Sequence, residues 1–175
     1  MKMQLSYKNE EDKSYGVTGM AMSVVIFDGE DMFVGANLDS ESGSMMEFTN
    51  DFYFSGNPGY SAKTAWNMLL KNFNLATAVV LGNVLCRRLI YEARPVDDEL
   101  TRSLHEIVVD AAGEHCSLEE DEADRLFEKN YNYLRRVFSH SGMQGVAHEF
   151  AETLRQRRYM SRMDVIDRLR SLGML

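Results

Sequence analysis

Met20-Ala21-Met22-Ser23-Val24-Val25-Ile26-Phe27 is followed by Asp28-Gly29 and then by Met32-Phe33-Val34-Gly35-Ala36-Asn37-Leu38. Two apolar, β-prone runs thus meet at an Asp-Gly pair. That pairing predicts a β-hairpin, because Asp and Gly tolerate the positive φ of a tight primed turn. In the second run Met32, Val34, Ala36 and Leu38 fall on one face. A polar loop, Asp39 to Ser44, leads to a third run, Met46 to Phe54. Its Met46, Phe48, Phe52 and Phe54 alternate with Glu47, Thr49, Asp51 and Tyr53, the pattern of a strand with one wet side. Leu5 and Tyr7 suggest a further strand. The expected N-terminal part, residues 1–56, is an antiparallel β-meander of three or four strands.

Gly56-Asn57-Pro58-Gly59 interrupts the alternation, and from Ser61 the period becomes helical. Ala62, Ala65, Trp66, Leu69, Leu70 and Phe73 recur at spacings of three and four. A break is possible near Asn72-Phe73-Asn74. The run from Leu75 to Tyr91 is apolar on most sides, as a central helix is, and Pro95 bounds it. Four more helices are expected. The first runs from about Asp97 to Ala112, with acidic residues in its first turn complementing the dipole. The second starts at Ser117, with Glu120 completing a capping box, and ends between Ser139 and Gly142. The third carries Val146, Ala147, Phe150, Ala151 and Leu154. The last starts at Ser161 and stops at Gly173. The expected fold is therefore α+β in one domain, a meander packed on a bundle of about five helices that spans 61–175.

Composition narrows the function classes. The chain has 175 residues, is 45% hydrophobic and 26% charged, and carries a net charge of −8, an ordinary globular balance. The charge is uneven: −4 over 1–92, −7 over 93–150 and +3 over 151–175. An acidic body speaks against nucleic-acid binding by the whole domain. No signal-peptide pattern opens the chain, and the longest apolar run, Leu75 to Cys86, is too short for a bilayer. A cytoplasmic protein without membrane association is expected. Cys86 and Cys116 are the only cysteines, and free buried thiols are expected of them.

Three places could carry chemistry. At the β-to-α junction 56–64, Asn57, Lys63 and Thr64 suggest a phosphate-binding loop, and so a small-molecule or anion site. Ala62 stands where that loop needs glycine, however, and the loop is one residue too long. In the tail, Arg155, Arg157, Arg158, Tyr159 and Arg162 cluster cations with an aromatic ring, the combination that suits phosphate contact and base stacking. The same cations could instead pair with acidic residues such as Glu119 to Glu122, within one chain or between two. The histidines His105, His115, His140 and His148 lack the spacing of a metal site; His148 and Glu152, four apart, suit a local ion pair. No Gly-x-Ser-x-Gly elbow occurs. No catalytic residue, metal or cofactor is predicted. Twelve methionines add adaptable apolar contact. The leading expectation is a non-catalytic interaction or assembly module that self-associates, as a homodimer. Nucleic-acid binding through the arginines and ligand binding at 56–64 are the alternatives.

Overall fold

The computed structural model describes residues 6–41, 43–53 and 59–174. Among them lie six α-helices and one small antiparallel sheet: α1 (Glu10–Ile26), β1 (Phe33–Asn37), β2 (Met46–Phe48), α2 (Ala62–Cys86), α3 (Asp98–Cys116), α4 (Glu120–Ser139), α5 (Ser141–Arg157), β3 (Tyr159–Ser161) and α6 (Arg162–Ser171). The class is α+β, but of the expected opening meander only the antiparallel pair β1–β2 forms among the described residues.

The stretch expected to be the first hairpin strand is the end of α1. Asn9 caps this helix, its Oδ1 accepting the Asp12 N–H at 2.8 Å, and Glu10, Glu11 and Asp12 fill the first turn. Asp28-Gly29 closes the helix rather than turning a hairpin. Asp28 sits at φ 51°, its N–H donates to Val25 O at 3.2 Å, and the Gly29 N–H donates to Val24 O at 2.8 Å. A helix end of this kind needs the same positive φ as a primed turn. The dipeptide therefore marks a chain reversal without deciding what precedes it.

Helix α1 is buried from Ser14 to Val25 and packs against α2, α5 and the sheet. A helix covered on every side shows no amphipathic period, so its Val24-Val25-Ile26 run resembles a strand. Its approach to α2 is unusually close. A Cβ on Gly19 would lie 2.1 Å from Gly82 O, and one on Gly82 would lie 2.0 Å from Ser23 Oγ. Glycine at both positions lets the backbones meet.

Helix α2 starts at Ser61, whose Oγ accepts the Thr64 N–H at 3.2 Å, and runs unbroken through Asn72 and Asn74. Both asparagines have partners: Asn72 Nδ2 donates to Asp51 O at 2.6 Å, and Asn130 Nδ2 donates to Asn74 Oδ1 at 2.8 Å. With the π-helical turn Arg87–Tyr91 that follows, α2 is long and apolar enough to cross a membrane, yet 67% of its most apolar window is buried inside the protein.

Strand β1 lies between β2 and β3, antiparallel to both; Ala36 pairs with Met46 on one side and with Met160 on the other. The third strand thus comes from the basic tail, not from the N-terminal part. Of the run expected to form a strand from Met46 to Phe54, only Met46–Phe48 does so. Asn50–Tyr53 is a 3-10 turn, and Phe54 lies outside the described residues. Leu5 also lies outside them, while Tyr7 leads into α1 without forming a strand. Ser117 does not cap α4. It closes α3 in a left-handed conformation (φ 49°, ψ 35°), and the start of α4 shifts to Glu119, whose N–H donates to Glu122 Oε2 at 3.2 Å. The last helix does begin behind Ser161, which caps Asp164, and ends before Gly173 at φ 79°.

Residues 6–12 are held by a polar knot. Asp12 is fully buried, and its two carboxylate oxygens accept Arg87 Nε and Nη2, each at 2.6 Å; Oδ2 also takes the Lys8 N–H at 2.9 Å. The Arg87 guanidinium lies 4.5 Å from the centre of the Tyr7 ring, and the Tyr7 hydroxyl accepts Asn83 Nδ2 at 2.9 Å. Burial pushes the Tyr7 phenol from 10.0 up to about 12. A raised folded-state pKa means that the neutral phenol is the form the fold favours. Its contribution is whole below pH 10 and is lost as pH rises towards 12. Urea unfolding followed over that window should lose stability more steeply in the wild type than in Tyr7→Phe; equal slopes would refute the assignment.

Candidate interaction surface

The tail arginines turn inward electrically. Arg155 pairs with Glu152 and lies 3.5 Å from Glu11. Arg157 Nη1 stands 3.2 Å from Asp164 Oδ1. Arg158, at φ 67°, links the end of α5 to Glu10 at 2.7 Å and to Asp39, which is held ionised below its usual range by that guanidinium. The Arg158 carbonyl accepts the Leu38 N–H at 2.8 Å, which carries the chain into β3. Tyr159 is exposed on β3 with its ring over Gly35, where a Cβ would meet its hydroxyl at 2.9 Å. Arg162 opens α6, half exposed and without an ion pair among the described residues. The structure brings Arg155 and Arg158 to the N-terminal end of α1, where Glu10 and Glu11 receive them, rather than to the acidic stretch Glu119 to Glu122.

At the β-to-α junction Asn57 lies outside the described residues. Lys63 and Thr64 are exposed on the first turn of α2, where Thr64 Oγ1 is 2.9 Å from Ser61 Oγ and takes part in the cap. The exposed Trp66 follows on the same helix.

Both cysteines are free and buried, Cys86 in α2 and Cys116 at the end of α3, and burial raises both thiols. Thiols held protonated are poor nucleophiles. His148 does not pair with Glu152: its Nδ1 lies 2.6 Å from the hydroxyl of the buried Tyr15, while Glu152 engages Arg155 and Gln156. His105 Nε2 lies 2.7 Å from Asp124 Oδ1 and ties α3 to α4. Among the described residues no three His, Cys, Asp or Glu side chains are grouped to hold a metal ion.

A concave surface does form at the C-terminal end of α4. It is an open groove of about 580 Å³ lined by Val25, Ile26, Tyr133, Arg136, Val137, His140, Met143 and Met174. The ends of α1, α4 and α5 and the last turn of the chain meet there. The floor is apolar, and Tyr133 stands beside it 44% exposed, its ring edge against Phe27 at 6.0 Å. Arg136 also belongs to a polar recess shared with Asn132, Arg135 and Ser139 on the outer face of α4. Neither Arg135 nor Arg136 has a carboxylate partner among the described residues, whereas Arg155, Arg157 and Arg158 all do. An apolar trough with cations on its rim is suited to a partner segment that is apolar and acidic.

The sequence reading did not bring these residues together as a surface, because each is ordinary where it stands. The available signal was the split of charge within α4. Residues 119–128 hold six carboxylates and one arginine, net −5, while residues 129–139 hold Lys129, Arg135 and Arg136 with no acid, net +3.

No protein-family model, curated protein or solved structure matches the chain.

Proposed function

We propose that this chain is a non-catalytic interaction module that assembles with its own kind. The observation that carries the reading is the groove at the end of α4, apolar in its floor and rimmed by Arg136, which, like Arg135 in the adjoining recess, lacks a carboxylate partner within the described residues. Methionine suits such a surface, because its unbranched side chain repacks around different contacts; Met143 and Met174 supply it here. The exposed tyrosine adds a residue type that often dominates binding energy when covered. Sedimentation equilibrium over a range of protein concentrations tests the reading. The expected result is a concentration-dependent dimer that Met143→Glu shifts towards monomer, since a carboxylate would be buried in the apolar floor. A wild-type chain that stays monomeric at every concentration overturns it.

A further inference from the structure

We infer that the groove at the end of α4 and the polar recess beside it together bind a small amphiphile, a phosphate monoester carrying one alkyl or acyl chain. The inference goes beyond the assembly reading and does not need it, because the occupant is a ligand rather than a second copy.

The two cavities are continuous on the helix. Asn132, Arg135, Arg136 and Ser139 line the recess, and α4 gives Tyr133, Arg136, Val137 and His140 to the groove. Both sets recur at spacings of three, one and three, and the second is the first moved along by one residue. One residue turns an α-helix by about 100°, so recess and groove occupy neighbouring stripes of the same two turns. Arg136 belongs to both and stands on their common edge.

The two stripes differ in chemistry. The recess, about 400 Å³, is lined by two guanidiniums, an amide and a hydroxyl, all of them on exposed residues. Among the described residues no carboxylate lines either cavity, and the sequence holds no acid from Lys129 to His148. On a chain of net charge −8, attraction for an anion is therefore local to this place rather than general. A guanidinium is a planar fork of donors that matches phosphate. Two forks with an amide and a hydroxyl offer more donors than the two oxygens of a carboxylate need, and they suit the three of a phosphate monoester. The groove, about 580 Å³, is floored by Val25, Ile26, Val137, Met143 and Met174. A trough of that size, mostly apolar with a few polar groups along one edge, fits a small-molecule site.

Neither half suffices alone. Phosphate on exposed arginines is screened by salt and held weakly. The chain supplies the rest, since each methylene that leaves water strengthens binding roughly fourfold. The charged head on one stripe and the apolar chain on the next make Arg136 the point at which the ligand changes character.

Isothermal titration calorimetry with decyl phosphate tests the inference. The ligand is kept below its micelle concentration, and the full chain is diluted to where sedimentation shows a monomer. Saturable one-to-one binding is expected. Inorganic phosphate, which lacks the chain, and decyl maltoside, which lacks the charge, should each bind at least about tenfold more weakly. Arg135→Gln with Arg136→Gln should weaken decyl phosphate by at least about tenfold. Arg102→Gln with Arg125→Gln, which removes two exposed cations elsewhere, should leave it unchanged. Circular dichroism confirms that both double variants stay folded. A wild type that does not saturate, that takes the maltoside equally well, or that keeps its affinity without Arg135 and Arg136 overturns the site. Binding to vesicles of phosphatidylcholine with phosphatidic acid, but not to dispersed decyl phosphate, overturns it in favour of a lipid surface. A chain that is monomeric at every concentration yet binds decyl phosphate overturns the assembly reading alone. A dimerising chain whose monomer does not bind it overturns this inference alone.

Discussion

Replacing Gly19 by alanine is expected to destabilise the protein by roughly 3 kcal/mol, the upper end of the usual overpacking range. The direction runs against helix propensity. Within a helix, Gly→Ala ordinarily gains about 1 kcal/mol, because glycine loses more backbone freedom on folding. Here the new methyl would stand 2.1 Å from Gly82 O, 2.6 Å from Cys86 Cβ and 2.7 Å from Gly82 C. None of these can be relieved by a rotamer change, since two are backbone atoms and the third is the root of a buried side chain. The axes of α1 and α2 would have to separate. That would loosen the packing of Val24, Leu81 and Leu85, all of them buried residues. Gly82→Ala meets Ser23 Oγ at 2.0 Å and Gly19 O at 2.5 Å and should behave alike. Gly145→Ala in α5 is the control. Nothing lies within 4 Å of its added Cβ, so propensity alone acts and the variant should be as stable as the wild type or more so. Urea unfolding of the three variants measures this. A Gly19→Ala protein no less stable than the wild type would show that the two helices are not this close.

The same contact explains where the fold was legible and where it was not. Helices α3, α5 and α6 and the first half of α2 announce themselves because each is covered on one side only, and a stripe at spacings of three and four survives into the sequence. Helix α1 is covered all round. Its Ser14, Gly16, Thr18 and Gly19 are weak helix formers chosen by a close neighbour, and Val24-Val25-Ile26 has high β-propensity. Tertiary contact overrides both tendencies. The signals that did belong to a helix, Asn9 before three acidic residues, lay ten positions upstream of the run that resembles a strand. Strand β3 is three residues long and pairs with a partner more than 120 positions earlier in the chain, so no local pattern could mark it. The arginine cluster was visible as residues, but its carboxylate partners Glu10, Glu11 and Asp39 come together only through that pairing and the packing of α5 on α1. The groove at the end of α4 was illegible for the same reason: its lining comes from four separate parts of the chain.

Asp12→Ala is expected to cost about 4 kcal/mol, because it breaks a buried ion pair from one side. The Asp12 side chain is 0% exposed and that of Arg87 only 16%. Removing the carboxylate leaves a guanidinium with little access to water, and it also strips the Lys8 N–H of its acceptor. An uncompensated buried charge costs far more than the pair itself contributes, since the attraction between the ions largely offsets their joint desolvation. The double variant Asp12→Leu with Arg87→Met should therefore be more stable than Asp12→Ala, although it removes more polar contacts. An exposed pair provides the scale. Arg125 and Asp121 are each 71% exposed, and Asp121→Asn should change stability by under about 1 kcal/mol. Thermal and urea unfolding of the three proteins distinguish the cases. If Asp12→Ala cost no more than Asp121→Asn, water would have to reach Arg87, and residues 6–9 could not be packed over it. The position of Arg87 makes the effect more than local. It opens the π-helical turn Arg87–Tyr91, where the Glu92 N–H reaches back five residues to Arg87 O at 2.9 Å. Such a turn inserts one residue into the helical register. It moves Tyr91 to stack on Tyr15 at 5.2 Å and to meet Asn9, the residue that caps α1. Loss of the ion pair should thus loosen both the start of α1 and the end of α2. Amide exchange in Asp12→Ala is expected to quicken first at residues 12–15 and 88–92, ahead of the buried middle of either helix.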